Sequence, residues 1–99
     1  MTLDYLIFDY SEDTDGSGTF EAMASTTPAQ AHLARAEAQQ VLDWVGQHFP
    51  HGPGPLEEGF DWDHDLSDTL AADGWHTVTL SISGSPAFCD GFRQQFPTE

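Results

Sequence analysis

The fold of this 99-residue chain is decided by residues 60–83, which read FDWDHDLSDTLAADGWHTVTLSIS. Apolar and polar residues alternate over 60–66 and again over 75–83, and this alternation is typical of half-buried β-strands. A three-residue loop over 72–74, with Gly74 in the left-handed bulge position, sets Leu66 opposite Leu80 and keeps one face apolar. A two-residue turn mixes polar with apolar residues on that face. We therefore predict a hairpin with the longer loop, and a short helix over 66–72 is the alternative to a continued strand.

The first half of the chain predicts the same order of elements. Residues Leu3 to Tyr10 are rich in aromatic and branched side chains and are apolar on both parities, which favours a central strand. A turn-forming, acidic stretch over 11–18 leads to a second alternating strand from Thr19 to Ser25. These two strands predict a hairpin with an acidic tip.

A helix is predicted after each hairpin. Residues Thr27 to Gln30 are typical of a capping box with proline at the first helical position, and an apolar face continues as far as Phe49. Ser85-Pro86 begins the second helix in the same way. The order ββαββα predicts an α+β fold in a single domain over residues 1–99. We expect a two-layer sandwich, with a four-stranded antiparallel sheet and both helices on one face.

The charge balance restricts the class of partner. Seventeen carboxylates stand against two arginines and no lysine, so the formal net charge is -15. Such a field disfavours nucleic acid and anionic membranes as partners and favours basic proteins. Solubility, or adaptation to a salty cytoplasm, is the alternative reason for the acidity. The single cysteine, Cys89, and the absence of a basic, apolar leader at the amino terminus predict a cytoplasmic protein.

An acidic row is the first candidate site. In a strand, Asp61, Asp63 and Asp65 share the parity opposite to the apolar residues, with Cα atoms about 6.6–6.8 Å apart. That spacing is comparable with the step between phosphates, so the row can imitate a nucleic acid towards a basic groove. Glu21 has the same parity on its own strand, and Trp75 is predicted to be exposed on the same face, as in protein-binding surfaces. An ordinary solvated face is the alternative.

Calcium binding at the hairpin tip is a second possibility. Glu12, Asp13 and Asp15 are weak candidate ligands, because Ser11, Asp13, Asp15 and Gly16 match the first positions of an EF-hand loop. The later positions do not match, and the flanking segments are predicted strands instead of helices. We therefore predict no cofactor.

A small enzyme is the third possibility. In the predicted register Asp68 lies diagonal to His76 on the inward parity, which suggests a buried Asp–His contact. No motif places a nucleophile or a second acid beside this pair, so the sequence favours a structural role.

The segment from Asp4 to Ala24, DYLIFDYSEDTDGSGTFEAMA, resembles small acidic proteins of proteobacteria. Those proteins carry no assigned activity, so the resemblance implies only a bacterial cytosol. We predict a non-enzymatic acidic binding protein that engages a basic partner, as a nucleic-acid mimic or as an inhibitor of the antitoxin or immunity type. Calcium binding and the Asp–His enzyme remain the alternatives, and the oligomeric state is not determined.

Overall fold

The computed structural model describes Leu3 and residues 5–96, and within them the predicted element order ββαββα is confirmed. A short 3-10 helix, Leu56–Glu58, is added between the first helix and the third strand. The strands and helices are β1 (Phe8–Glu12), β2 (Gly18–Thr26), α1 (Pro28–His48), β3 (Trp62–Leu70), β4 (His76–Gly84) and α2 (Pro86–Gln95).

The four strands form one antiparallel sheet in the order β1-β2-β4-β3. The predicted hairpin register is confirmed, because Leu66 pairs with Leu80 and β3 continues as a strand to Leu70. The loop is the predicted one: the Gly74 N–H donates to the Ala71 carbonyl at 3.0 Å, and Gly74 has a φ of 91°. Apolar alternation and one left-handed glycine are therefore sufficient to determine this pairing.

The prediction that the first strand is central was wrong. β1 lies at an edge of the sheet and begins at Phe8, five residues later than predicted. Leu3 and Tyr5 pack against the core from outside the sheet, and Ile7 is exposed. The segment is apolar on both parities because Leu3 and Tyr5 pack against the core before the strand begins, whereas Ile7 is exposed. The cause is not a strand with two buried faces.

The core lies on the even-numbered face of the sheet. Every even-numbered residue of β2 is buried, and those of β4 are buried from Val78 onward. Both helices contact this face: the Phe92 ring of α2 lies 5.2 Å from Phe8 and 4.3 Å from Phe20 between centroids, and Arg35 of α1 pairs with Asp68. The hydrophobic effect therefore fixes which parity faces the helices.

The two helices begin differently. Ser85 caps α2, since its hydroxyl accepts a hydrogen bond from the Phe88 N–H at 3.3 Å. The capping box predicted at the start of α1 is not formed, because the Thr27 hydroxyl contacts the Gln30 side chain at 3.3 Å and no backbone N–H. Helix α1 depends instead on its buried apolar face and on the proline of its first turn.

The second ββα unit repeats the first at a constant offset of 58 residues. Asp15-Gly16 and Asp73-Gly74 occupy the same positions in two three-residue hairpin loops that have the same backbone hydrogen bonds, and both glycines have φ near 90°. Thr27-Pro28 and Ser85-Pro86 begin the two helices at the same offset. Ala22 pairs with Leu80, which is its own equivalent, so a pseudo-two-fold axis passes through this pair.

Candidate binding surface

The odd-numbered side of the sheet forms a surface with no buried residue, which we call the open face. Its side chains are short and mostly polar, with nine hydroxyls, four carboxylates and one methionine. The strand residues of the open face are Asp9, Ser11, Thr19, Glu21, Met23, Ser25, Asp63, Asp65, Ser67, Thr69, Thr77, Thr79, Ser81 and Ser83.

The sheet register collects carboxylates at one end of the open face. Asp9 pairs with Glu21, Glu21 with Ser81, and Ser81 with Asp65, so one line across all four strands carries three carboxylates. We call Asp9, Glu21 and Asp65 the acidic row. Asp63 adds a fourth carboxylate two positions before Asp65 on β3, where a shallow cleft is lined by Asp63, His64, Asp65, Ser81 and Ser83.

Neither arginine of the chain compensates this surface. Arg35 pairs with Asp68, and the Arg93 guanidinium lies 4.8 Å from the centre of the Tyr10 ring. Both partners belong to the even-numbered face, which is the helix side of the sheet. Asp63 accepts a hydrogen bond from the His64 N–H at 2.9 Å, but neither arginine pairs with a carboxylate of the open face and the chain has no lysine. The mutual repulsion of these carboxylates is therefore not relieved by arginine or lysine.

Three of the five predicted contact residues lie on the open face as strand residues: Glu21, Asp63 and Asp65. Asp61 precedes β3, where its N–H donates to the His51 carbonyl at 2.8 Å and its carbonyl accepts from the Ser85 N–H at 3.0 Å. The strand begins one residue later, so the row of three aspartates predicted along β3 has two members within the strand.

Trp75 is exposed, as predicted, at the start of β4. Ser81, which lies between Glu21 and Asp65 of the acidic row, is six positions further along the chain, about 20 Å at the rise of a β-strand. The tryptophan and the acidic row therefore occupy opposite ends of the open face.

Two exposed apolar side chains that sequence reasoning missed lie nearer to the acidic row. Met23 follows Glu21 by two positions on β2 and is 58% exposed. Ile7, 62% exposed, immediately precedes β1, and the pairing of Phe8 with Ala22 places it beside Met23. A surface that combines anionic and apolar side chains is suited to contact with a protein.

The predicted Asp68–His76 contact is present but is not buried. The Asp68 carboxylate lies 3.2 Å from His76 Nδ1, and Arg35 of α1, which sequence reasoning missed, also binds it. The hydrogen bond from His76, followed by that from Arg35, lowers the pKa of Asp68. A carboxylate stabilised in its ionised form is a poor base. This arrangement is suited to joining α1 to β3.

The acidic hairpin tip has one carboxylate, that of Asp15, bonded within the turn. Asp15 accepts hydrogen bonds from the Ser17 hydroxyl at 2.6 Å and from the Ser17 N–H at 3.0 Å, which lowers the pKa of Asp15. Glu12 accepts from the Tyr10 hydroxyl at 3.3 Å, and Asp13 lines a neighbouring cleft. Among the described residues no group of three or more His, Cys, Asp or Glu side chains is placed to hold a metal ion.

No model of a protein family, no curated protein and no solved structure matches this chain. Within the residues that the structure describes, neither helix has the length and apolar character needed to cross a membrane.

Proposed function

We propose that this protein is a non-enzymatic binding protein whose open face engages a cationic surface of a partner protein. The observation that carries the proposal is the uncompensated cluster formed by the acidic row and Asp63. The only two arginines of the chain lie on the other side of the sheet, and there is no lysine. A partner that places lysine or arginine over this cluster provides the missing counter-charges.

The acidic row lowers the stability of the isolated protein, which argues that the row has a function. Asp9 and Glu21 are directly opposite on neighbouring strands, and like charges in that position destabilise a sheet. An arginine or lysine of a partner, placed between them, converts this repulsion into attraction. The charge also accelerates encounter with a cationic partner and excludes anionic ones.

The shape of the cluster favours a protein partner over mimicry of a nucleic acid. Phosphates of a nucleic acid follow one another at a regular step, whereas the line of the acidic row has Ser81 instead of a carboxylate on β4, and Asp63 lies beside that line. Ile7 and Met23 add apolar area beside the charges, which a folded protein surface can cover. A compact cationic patch with an apolar neighbour is therefore the partner surface that fits best.

The test compares two triple variants with the same net charge. The first, Glu21→Gln with Asp63→Asn and Asp65→Asn, removes charge from the open face. The control set, Asp43→Asn, Glu57→Gln and Glu58→Gln, removes as much charge from exposed positions on α1 and the 3-10 helix. A partner is first captured from lysate, and its affinity for each purified protein is then measured by calorimetry at low and moderate salt.

We expect the open-face variant to bind at least tenfold more weakly, with a reduced salt dependence. The control should retain nearly the wild-type affinity. Equal weakening of both variants would mean that only net charge matters, and unchanged affinity of the open-face variant would assign binding to another surface. Either result refutes the proposal.

A further inference from the structure

The outer edge of β3 is a free strand edge. β3 is the last strand of the sheet, and the Ala71 N–H donates to the Trp75 carbonyl at 2.8 Å, which makes this a hydrogen-bonded pair. Such pairs alternate along an antiparallel ladder, so the odd-numbered residues of β3 bond to β4. The N–H and C=O groups of the even-numbered residues consequently point outward, away from the sheet.

Only the beginning of this edge is covered. The Trp62 carbonyl accepts a hydrogen bond from the Gly54 N–H at 3.1 Å, and the His64 N–H donates to the Asp63 carboxylate at 2.9 Å. Beyond His64, no described strand pairs with the outward groups of Leu66, Asp68 and Leu70. At the other edge, β1 has five residues, and the N–H groups of Tyr5 and Leu6 before it both donate to Glu37 of α1.

The helix side of β3 is also incompletely covered, and the internal repeat gives the reason. Phe8 of β1 is buried beneath the rings of Phe92 and Phe96, at 5.2 and 6.2 Å between centroids. At the offset of 58 residues, the equivalent of Phe8 is Leu66, and the equivalents of the two covering phenylalanines are Ala34 and Ala38. Methyl groups replace two rings, and Leu66 is 39% exposed.

Leu70 extends the uncovered apolar surface towards the end of the strand, where it is 66% exposed. The free edge therefore has two different sides. Leu66 and Leu70 lie on the helix side, whereas Asp63 and Asp65 lie on the open face. A strand added to this edge places alternate side chains against each of the two sides.

We propose that β3 binds an extended segment of the partner by β-strand addition, and that this segment alternates apolar residues with lysine or arginine. The apolar residues pack on Leu66 and Leu70, and the cationic residues lie opposite Asp65 and diagonal to Asp63. A second copy of β3 fits poorly, because it brings its own aspartates against the same edge. This inference rests on the proposed function and specifies the form of the partner.

The test uses the wild-type protein and an end-capped decapeptide of alternating valine and lysine. Two further peptides carry N-methyl groups, one on every valine nitrogen and the other on every lysine nitrogen. In an antiparallel addition with valine on the helix side, the valine N–H groups face β3, whereas in a parallel addition the lysine N–H groups do. Affinity is measured by NMR titration, together with amide hydrogen exchange of the protein.

We expect one methylated peptide to bind at least tenfold more weakly than the other, which also identifies the strand direction. The unmethylated peptide should slow hydrogen exchange at the amides of Leu66, Asp68 and Leu70 by at least tenfold. Equal affinities of all three peptides, with unchanged exchange at these amides, would overturn strand addition and leave charge-based binding to the open face intact. Failure of every peptide to bind also overturns it, while the comparison of triple variants tests the open face independently.

Discussion

Substituting Glu21 with glutamine should stabilise the protein while weakening its binding. Glu21 lies directly opposite Asp9, and their carboxylates are about 6 Å apart if the side chains extend from opposed strand positions. Two charges at that distance repel by about 0.7 kcal/mol in water. Screening leaves about 0.6 kcal/mol at 10 mM salt, where the Debye length is about 30 Å, and about 0.1 kcal/mol at 1 M salt, where it is about 3 Å.

The assay is thermal unfolding at pH 7 in 10 mM and 1 M sodium chloride. A gain of about 0.6 kcal/mol corresponds to a rise in Tm of about 2–5 °C for a domain of this size. Any lost carboxylate reduces the overall repulsion of the chain, so Glu57→Gln, which removes an exposed carboxylate from the 3-10 helix, is the control. A double-mutant cycle with Asp9→Asn isolates the coupling between the two carboxylates.

The reasoning fails if Glu21→Gln stabilises no more than Glu57→Gln at low salt. It also fails if the advantage of Glu21→Gln persists at 1 M salt, because screening removes a Coulomb repulsion between exposed groups. If Glu21→Gln stabilises more than Glu57→Gln at 10 mM salt, if this advantage is lost at 1 M salt and if partner binding weakens as well, the acidic row lowers stability and contributes to binding.

Three further predictions concern the core, the turns and the Asp68 ion pair. Phe92→Ala should lower the free energy of unfolding, measured in urea, by about 3–5 kcal/mol, because the ring is fully buried among four other phenylalanines. A loss below about 1 kcal/mol would contradict that packing. Gly16→Ala and Gly74→Ala should each lower the free energy of unfolding by about 1–2 kcal/mol, because both glycines have φ near 90°. Gly16→Ala should lower it more, since the new Cβ would lie 3.1 Å from the Pro86 side chain. Equal melting temperatures of the two variants would refute this. The pKa of Asp68 is lowered in the folded protein, so its contribution is fully present above about pH 4 and is lost as the pH falls through the folded-state pKa. The stability difference between wild type and Asp68→Asn should close over that range, and a difference that is independent of pH would exclude the ion pair as its cause.

The β3–β4 hairpin was predictable because its side chains determine the register. Only the pairing of Leu66 with Leu80 keeps the apolar residues on one face, and Gly74 supplies the left-handed position which the loop requires. The strand order was not predictable in this way. Tyr5 and Ile7 look like strand residues in the sequence, but one packs outside the sheet and the other is exposed.

The candidate site was predicted in part, where alternation within a strand determines which face a residue occupies. The parity of Glu21, Asp63 and Asp65 follows from alternation within their own strands. Asp9 was not included, because residues 3–10 are apolar on both parities and alternation therefore did not assign Asp9 to the outward face. Asp61 was included by extending β3 one residue beyond its start at Trp62; its carbonyl still accepts from the Ser85 N–H, but its own N–H donates to His51 instead of to β4.

The internal repeat separates what the fold requires from what this sequence adds. Arg35 and Arg93 occupy equivalent positions, as do Asp68 and Tyr10, so both units use the same helix-to-edge contact with different chemistry. The topology therefore allows either edge strand to be covered. β1 is covered by phenylalanines from α2, whereas the equivalent residues of α1 are alanines, and β3 exposes Leu66 and carries two of the four carboxylates on the open face. Because the same backbone arrangement covers β1, the exposure of β3 is a property of its side chains. The open face and the free edge, on which the two proposals depend, therefore share β3.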